Sequence, residues 1–162
     1  MENGMIKRDE YLQKLKDKMW NGAVKIIVGI RRCGKSFLLN EIFRQYLIDT
    51  GVASDHIISV ALDLEEFESL QNPRELSKYV RGRIVDEGRY YVFIDEIQLS
   101  RKILKEGVEL SKLAREDEPG AWFTFYDVLN SLNAKPNLDI YVTGSNSKML
   151  SKDVATNFRG RK

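Results

Sequence analysis

At 162 residues the chain has room for one domain and hardly for two. Hydrophobic residues at 43% and charged residues at 31% specify a packed core under a solvated surface, which excludes disorder by composition. The net charge of +2 makes no case for nucleic acid, no apolar run reaches the length of a membrane span, and the N-terminus lacks the apolar core of a signal peptide. A single cysteine rules out an internal disulfide, so a cytoplasmic setting is expected.

In chain order, Tyr11, Leu12, Leu15 and Met19 fall at helical spacing and predict an amphipathic helix over Arg8 to Met19, a lead-in occupying residues 1–22. Asn21-Gly22 ends it. Val24 to Val28 is apolar at nearly every position, as expected of a buried parallel strand. Gly29-Ile30-Arg31-Arg32-Cys33-Gly34-Lys35-Ser36 follows and fits G-x-x-x-x-G-K-[ST], a phosphate-binding loop between a strand and a helix. Its two glycines allow a tight turn that points backbone N–H groups at an anion, aided by the positive end of the helix dipole. Lys35 is expected to reach the β- and γ-phosphates and the Ser36 hydroxyl to ligate Mg²⁺, with Phe37 next to them. Cys33, among Arg31, Arg32 and Lys35, is either a thiol whose alkylation competes with nucleotide or, the simpler reading, a small residue that fits the loop.

Phe37, Leu38, Ile42, Phe43, Tyr46 and Leu47 mark a helix that stops at Thr50-Gly51. His56 to Asp63 reads as the second strand. Asp63 lies at its carboxyl end, where an acid either serves a ligand or, the simpler reading, closes a turn; His56 has no expected role. Asn72-Pro73-Arg74-Glu75 is a helix start, and the helix is expected to run through Ile84 toward Glu87-Gly88. Tyr90 to Glu96 is a buried strand ending in two acids. Between Leu99 and Gly120, Ile103, Leu104, Val108, Leu110 and Leu113 predict one imperfectly amphipathic helix, so that 99–121 reads as a possible helical insertion. Thr124 with Asp127 starts another helix. Leu138 to Val142 is the last strand, closing in Thr143-Gly-Ser-Asn-Ser147, with a short helix expected through Met149 and Leu150. Helices alternating with buried strands predict a parallel, wound α/β sheet.

Three pieces carry chemistry. The loop names a nucleoside triphosphate. Asp95, at a strand end, is placed to hold Mg²⁺ through its water shell, and Glu96 directly after it is the candidate general base for water attacking the γ-phosphate. The polar end of the last strand offers Asn146, then Ser145, then Thr143, as the group that bonds the γ-phosphate or the attacking water. No Asn-Lys-x-Asp guanine-reading motif occurs, which weakens a GTPase, and the Asp-Glu pair favours water over a small-molecule acceptor.

These pieces, in this order, resemble the AAA-type (ASCE) P-loop ATPases, and in particular a prokaryotic family that joins such a domain to a C-terminal domain of unknown function. The resemblance rests on Gly29–Ser36, Tyr91-Val-Phe-Ile-Asp-Glu-Ile-Gln98, Tyr141-Val-Thr-Gly-Ser-Asn-Ser-Lys-Met-Leu150 and Phe158-Arg-Gly-Arg161. It implies a three-layer P-loop NTPase fold over 23–162, ATP and Mg²⁺ as ligands, and hydrolysis that drives conformational work. The alternative is a nucleotide-gated switch with negligible turnover. Asn146 or Ser145 resembles the sensor, and Arg159 or Arg161 lies where such proteins often place an arginine finger acting on a neighbouring subunit. The family pattern also implies a fifth strand beside the loop-bearing strand. Four are visible, so a fragment truncated before the fifth is expected, with Val24 to Val28 as an exposed edge that self-associates. Nucleic acid as a partner of the intact protein is left open; a membrane is not expected.

Overall fold

A computed structural model of the chain describes residues 2–28, 34–115, 118 and 120–145, with backbone alone for 2–8. Two strands are apolar or aromatic for nearly their whole length and are buried at every residue. These are β3 (Tyr90–Asp95) and β6 (Leu138–Gly144), and a run of that kind is stable only with layers on both faces. They form the middle of a four-stranded parallel sheet. The order is β1 (Lys25–Val28), β6, β3, β2 (Ile57–Ala61), so the loop-bearing strand and the acid-bearing strand are not neighbours. Among the described residues β1 is an edge, as expected, and its last residue, Val28, is 40% exposed.

Alternate residues point to opposite faces. Tyr90, Val92, Ile94, Leu138, Ile140 and Val142 pack against α3 (Pro73–Gly82) and α4 (Phe125–Asn133) through Leu76, Val80, Phe125, Val128, Leu129 and Leu132. Tyr91, Phe93 and Tyr141 face the other way, onto Leu15 of α1 (Glu2–Lys18) and Leu38, Leu39, Phe43 and Leu47 of α2 (35–49). The result is three layers. Each fully buried Leu or Phe contributes roughly 1.5–3 kcal/mol, so this double-sided burial is the main force holding the sheet edge in place.

The local signals are realised where they were strong. Asn72 Oδ1 accepts the Arg74 N–H at 2.9 Å with Pro73 at the first helical position. Thr124 and Asp127 form a reciprocal capping box. Gly51 takes φ +104° after the Thr50 cap and so ends α2. Inside α2, Leu38–Phe43 is a π-helical segment that keeps Leu39, Phe43 and Leu47 fully buried, whereas Phe37, expected on that stripe, is exposed.

Three expectations are corrected. The lead-in helix begins at Glu2 rather than at Arg8, and α3 stops at Gly82, short of Glu87. In the described residues the helix expected over Leu99 to Gly120 is replaced by a small antiparallel ribbon, β4 (Ile103–Leu104) with β5 (Trp122–Phe123), and a 3₁₀ turn at Leu110–Lys112. Gly107 sits at φ +83°, which breaks a helix there, and the apolar pair that looked helical finds a strand partner instead. The expected helix through Met149 and Leu150 lies outside the described residues.

Candidate functional site

In an open parallel sheet the carboxyl ends of the strands share one edge, and ligands bind there. The register brings Val28 level with Gly144, and Ala61 level with Asp95. That edge carries four of the polar groups that the fold buries. Lys35, Asp95, Glu96 and Thr143 are all under 9% exposed, and burying four such groups together costs stability unless they are bonded or serve a ligand.

Two of the bonds explain the acid pair's geometry. The Thr143 hydroxyl donates to Asp95 Oδ1 and accepts the Glu96 N–H at 3.0 Å. Glu96 itself adopts a left-handed backbone (φ 57°, ψ 52°), unusual for a residue with a Cβ and costing about 1 kcal/mol or more. This turn ends β3 abruptly and leads into the 3₁₀ turn Ile97–Leu99, whose Ile97 is fully buried. Consecutive carboxylates thereby leave the strand in different directions, one toward β6 and one toward the Gln98 amide, which donates to Glu96 Oε1 at 2.5 Å. The Gln98 carbonyl in turn accepts the Ser145 N–H at 3.2 Å.

On the loop side, Gly34 is at φ +92°, a left-handed backbone that favours glycine whatever the space around it. Its carbonyl accepts the Leu38 N–H at 2.8 Å and opens α2. Lys35 is the first helical residue and is buried. The Ser36 hydroxyl accepts from Asn40 Nδ2 at 3.2 Å, and Asn40 Oδ1 accepts in turn from Ser59 on β2 at 3.5 Å.

Of the residues singled out in the sequence, Gly34, Lys35, Ser36, Phe37, Asp95, Glu96 and Ser145 are described, and all lie at the carboxyl edge of the sheet or on the elements that leave it. Gly29, Ile30, Arg31, Arg32, Cys33, Asn146, Arg159 and Arg161 lie outside the described residues. Asp63 is exposed on the turn after β2. His56 stacks on Tyr90 with centroids 4.1 Å apart at the opposite edge and contacts the Arg89 carbonyl at 2.8 Å, a packing role. Thr143, read from sequence as a third-choice phosphate contact, has its hydroxyl proton directed at Asp95 instead. Gln98 was missed as a site residue, because its partner Ser145 follows β6 and lies far away in sequence.

The donor set suits a magnesium nucleotide. Mg²⁺ takes few protein ligands and relies on phosphate oxygens and water, so a hydroxyl plus one buried carboxylate is enough. A groove of about 370 Å³ also runs between α1 and β1, bordered by Tyr11, Leu15, Val24 and Val28. It lies along the outer strand, whereas the buried acids and Lys35 mark where chemistry is possible.

A family model described as an AAA domain matches residues 21–162. An uncharacterized protein of Haemophilus influenzae is 30% identical over 99% of this chain and 35% of its own length. The uncharacterized protein MJ1544 of Methanocaldococcus jannaschii is 27% identical over 97% of this chain and 28% of its own. The chain thus spans about a third of the length of these curated relatives. Among solved structures, Drosophila ORC bound to DNA aligns with a TM-score of 0.51 at 12% identity, covering 99% of this chain and 85% of that one. Drosophila ORC bound to AT-rich DNA and Cdc6 aligns at 0.53 and 13%, covering 97% and 53%. At such identities the likeness concerns the fold, and it agrees with the layers and sheet described above as a P-loop NTPase fold.

Proposed function

Since this chain belongs to the AAA-domain family, we propose that it binds ATP with Mg²⁺ and hydrolyses it to drive conformational work. The observation that carries the reading is the buried Asp95–Glu96 pair at the end of β3, tied through one threonine to the end of β6. In this reading the backbone of Gly29 to Gly34 cradles the phosphates and Lys35 holds the β- and γ-phosphate oxygens. The Ser36 hydroxyl and Asp95 hold the ion, Asp95 through water. When bound, Mg²⁺ offsets the negative charge on those oxygens. Glu96 takes the proton from water as the water oxygen bonds to the γ-phosphorus and the bond to the bridging oxygen breaks, leaving ADP and phosphate. Asn146 or Ser145 contacts the γ-phosphate. Arg159 or Arg161 completes the site of a neighbouring subunit, so that self-association, including through the edge of β1, belongs to the same proposal.

The test is Glu96→Gln. Removal of a general base lowers turnover by about 10²–10⁴-fold, so E96Q is expected to bind a fluorescent ATP analogue within a few-fold of wild type and to release phosphate at least about a hundredfold more slowly. Turnover that is negligible in the wild type and unchanged in E96Q would leave the nucleotide-gated switch as the better reading, and full turnover in E96Q would remove Glu96 as the base.

A further inference from the structure

The Gln98 side chain spans two parts of the site that the chain keeps far apart in sequence. Its Nε2 donates to the Glu96 carboxylate and its Oε1 accepts the Ser145 N–H, at 2.5 and 3.2 Å. A carboxamide suits this task because one end only donates and the other only accepts, so a carboxylate and an amide can be served together. The residue starts from a fixed base. Ile97 beside it is fully buried in the core, and the turn is closed by the Leu99 N–H on the Glu96 carbonyl at 3.0 Å and the Ser100 N–H on the Ile97 carbonyl at 3.0 Å. Glu96 is fixed as well, by its left-handed backbone and by the Thr143 hydroxyl on its N–H. What is left to set is the direction of its side chain, and the Gln98 amide bonds that carboxylate directly.

We infer that Gln98 is a positioning residue that couples the turn after β6 to the Glu96 carboxylate. A displacement of Ser145 draws on the Gln98 carbonyl, and the amide at the other end of the same rigid group moves the carboxylate with it. Residues beside the nucleotide thereby set where the base points. The inference rests on Glu96 being the base, as proposed above, and deepens that reading by naming what aims it.

Two substitutions in the full chain separate the halves of the bridge. Gln98→Met keeps the length and removes both bonds. Gln98→Glu keeps the acceptor for Ser145 but replaces the donor to Glu96 with a like charge. In Q98M the Ser145 amide is expected to exchange with deuterium roughly fivefold faster or more, and kcat to fall by about ten- to a hundredfold with KM for Mg-ATP within twofold. In Q98E the exchange is expected to stay near wild type while kcat falls as far. Wild-type kcat in both variants beside a dead E96Q overturns the coupling and leaves the base. A lowered thermal midpoint shared by both variants, with kcat per folded molecule unchanged, overturns it too. Turnover surviving in E96Q, or absent from the wild type, removes the base and the coupling together.

Discussion

One threonine hydroxyl serves both acids of the site: it gives its proton to Asp95 and takes the Glu96 N–H. Thr143 is fully buried, so losing the hydroxyl leaves a buried N–H without its partner, at a cost of about 1–3 kcal/mol. Thr143→Val is therefore expected to lower stability by that amount in urea denaturation with the slope unchanged, and Thr143→Ser to recover most of it. Equal stability of T143V and wild type would contradict the geometry. At this scale the sequence was partly legible. Asp95 and Glu96 stood out because two acids ending an apolar run are conspicuous along the chain. The bonds of Thr143 to those acids and of Gln98 to Ser145 were not legible, because they depend on β6 lying beside β3, and no local pattern encodes which strand becomes whose neighbour.

Among the elements, β1 and the turn after α1 meet β6 at the amino edge of the sheet through a buried polar cluster. Lys25 on β1 pairs with Asp139 on β6, both nearly inaccessible, and Asp139 Oδ2 also accepts the Trp20 N–H at 3.0 Å and the Tyr141 hydroxyl at 2.6 Å. Trp20 pays a positive φ of 56° for that position and donates its indole N–H to Tyr91 at 3.1 Å. Burial pushes the Lys25 ammonium below its ordinary pKa, against the pull of Asp139. Breaking one half of such a pair leaves an uncompensated buried charge. Lys25→Met is expected to cost about 3–5 kcal/mol by chemical denaturation, and adding Asp139→Asn to restore most of it, since the amide oxygen still accepts from Trp20 and Tyr141. If the double variant is as unstable as K25M, the charge is not the cause. Elements were readable where their signals were local, as with the caps at Asn72 and Thr124. The ribbon was not, because two-residue strands carry no periodicity and Ile103 pairs with Phe123 across a long stretch of chain.

For the molecule as a whole, the α1/α2 layer buries tyrosines whose hydroxyls resist ionisation. Tyr141 is raised above the tyrosine range first by burial and then by Asp139, and Tyr91 is raised by burial. In the unfolded chain both ionise near their usual value of about 10. Their contribution to stability is therefore complete below about pH 10 and is lost as pH rises toward the higher folded values. Lys25 acts in the opposite sense, gaining as pH approaches about 10.5 and constant beyond. The net expectation is a fall in thermal midpoint above about pH 10.5 that is shallower in Tyr141→Phe; an identical fall in that variant would show that Tyr141 is not responsible. The same sheet fixes a dimension. With β6 between them, the ends of β1 and β3 stand two ladder steps apart, roughly 10 Å. Adjacent strands would halve that gap to a single hydrogen-bond spacing. As built, the sheet acts as a spacer gauge: the strand that precedes the glycine loop and the strand that ends in the two acids are held two strand spacings apart.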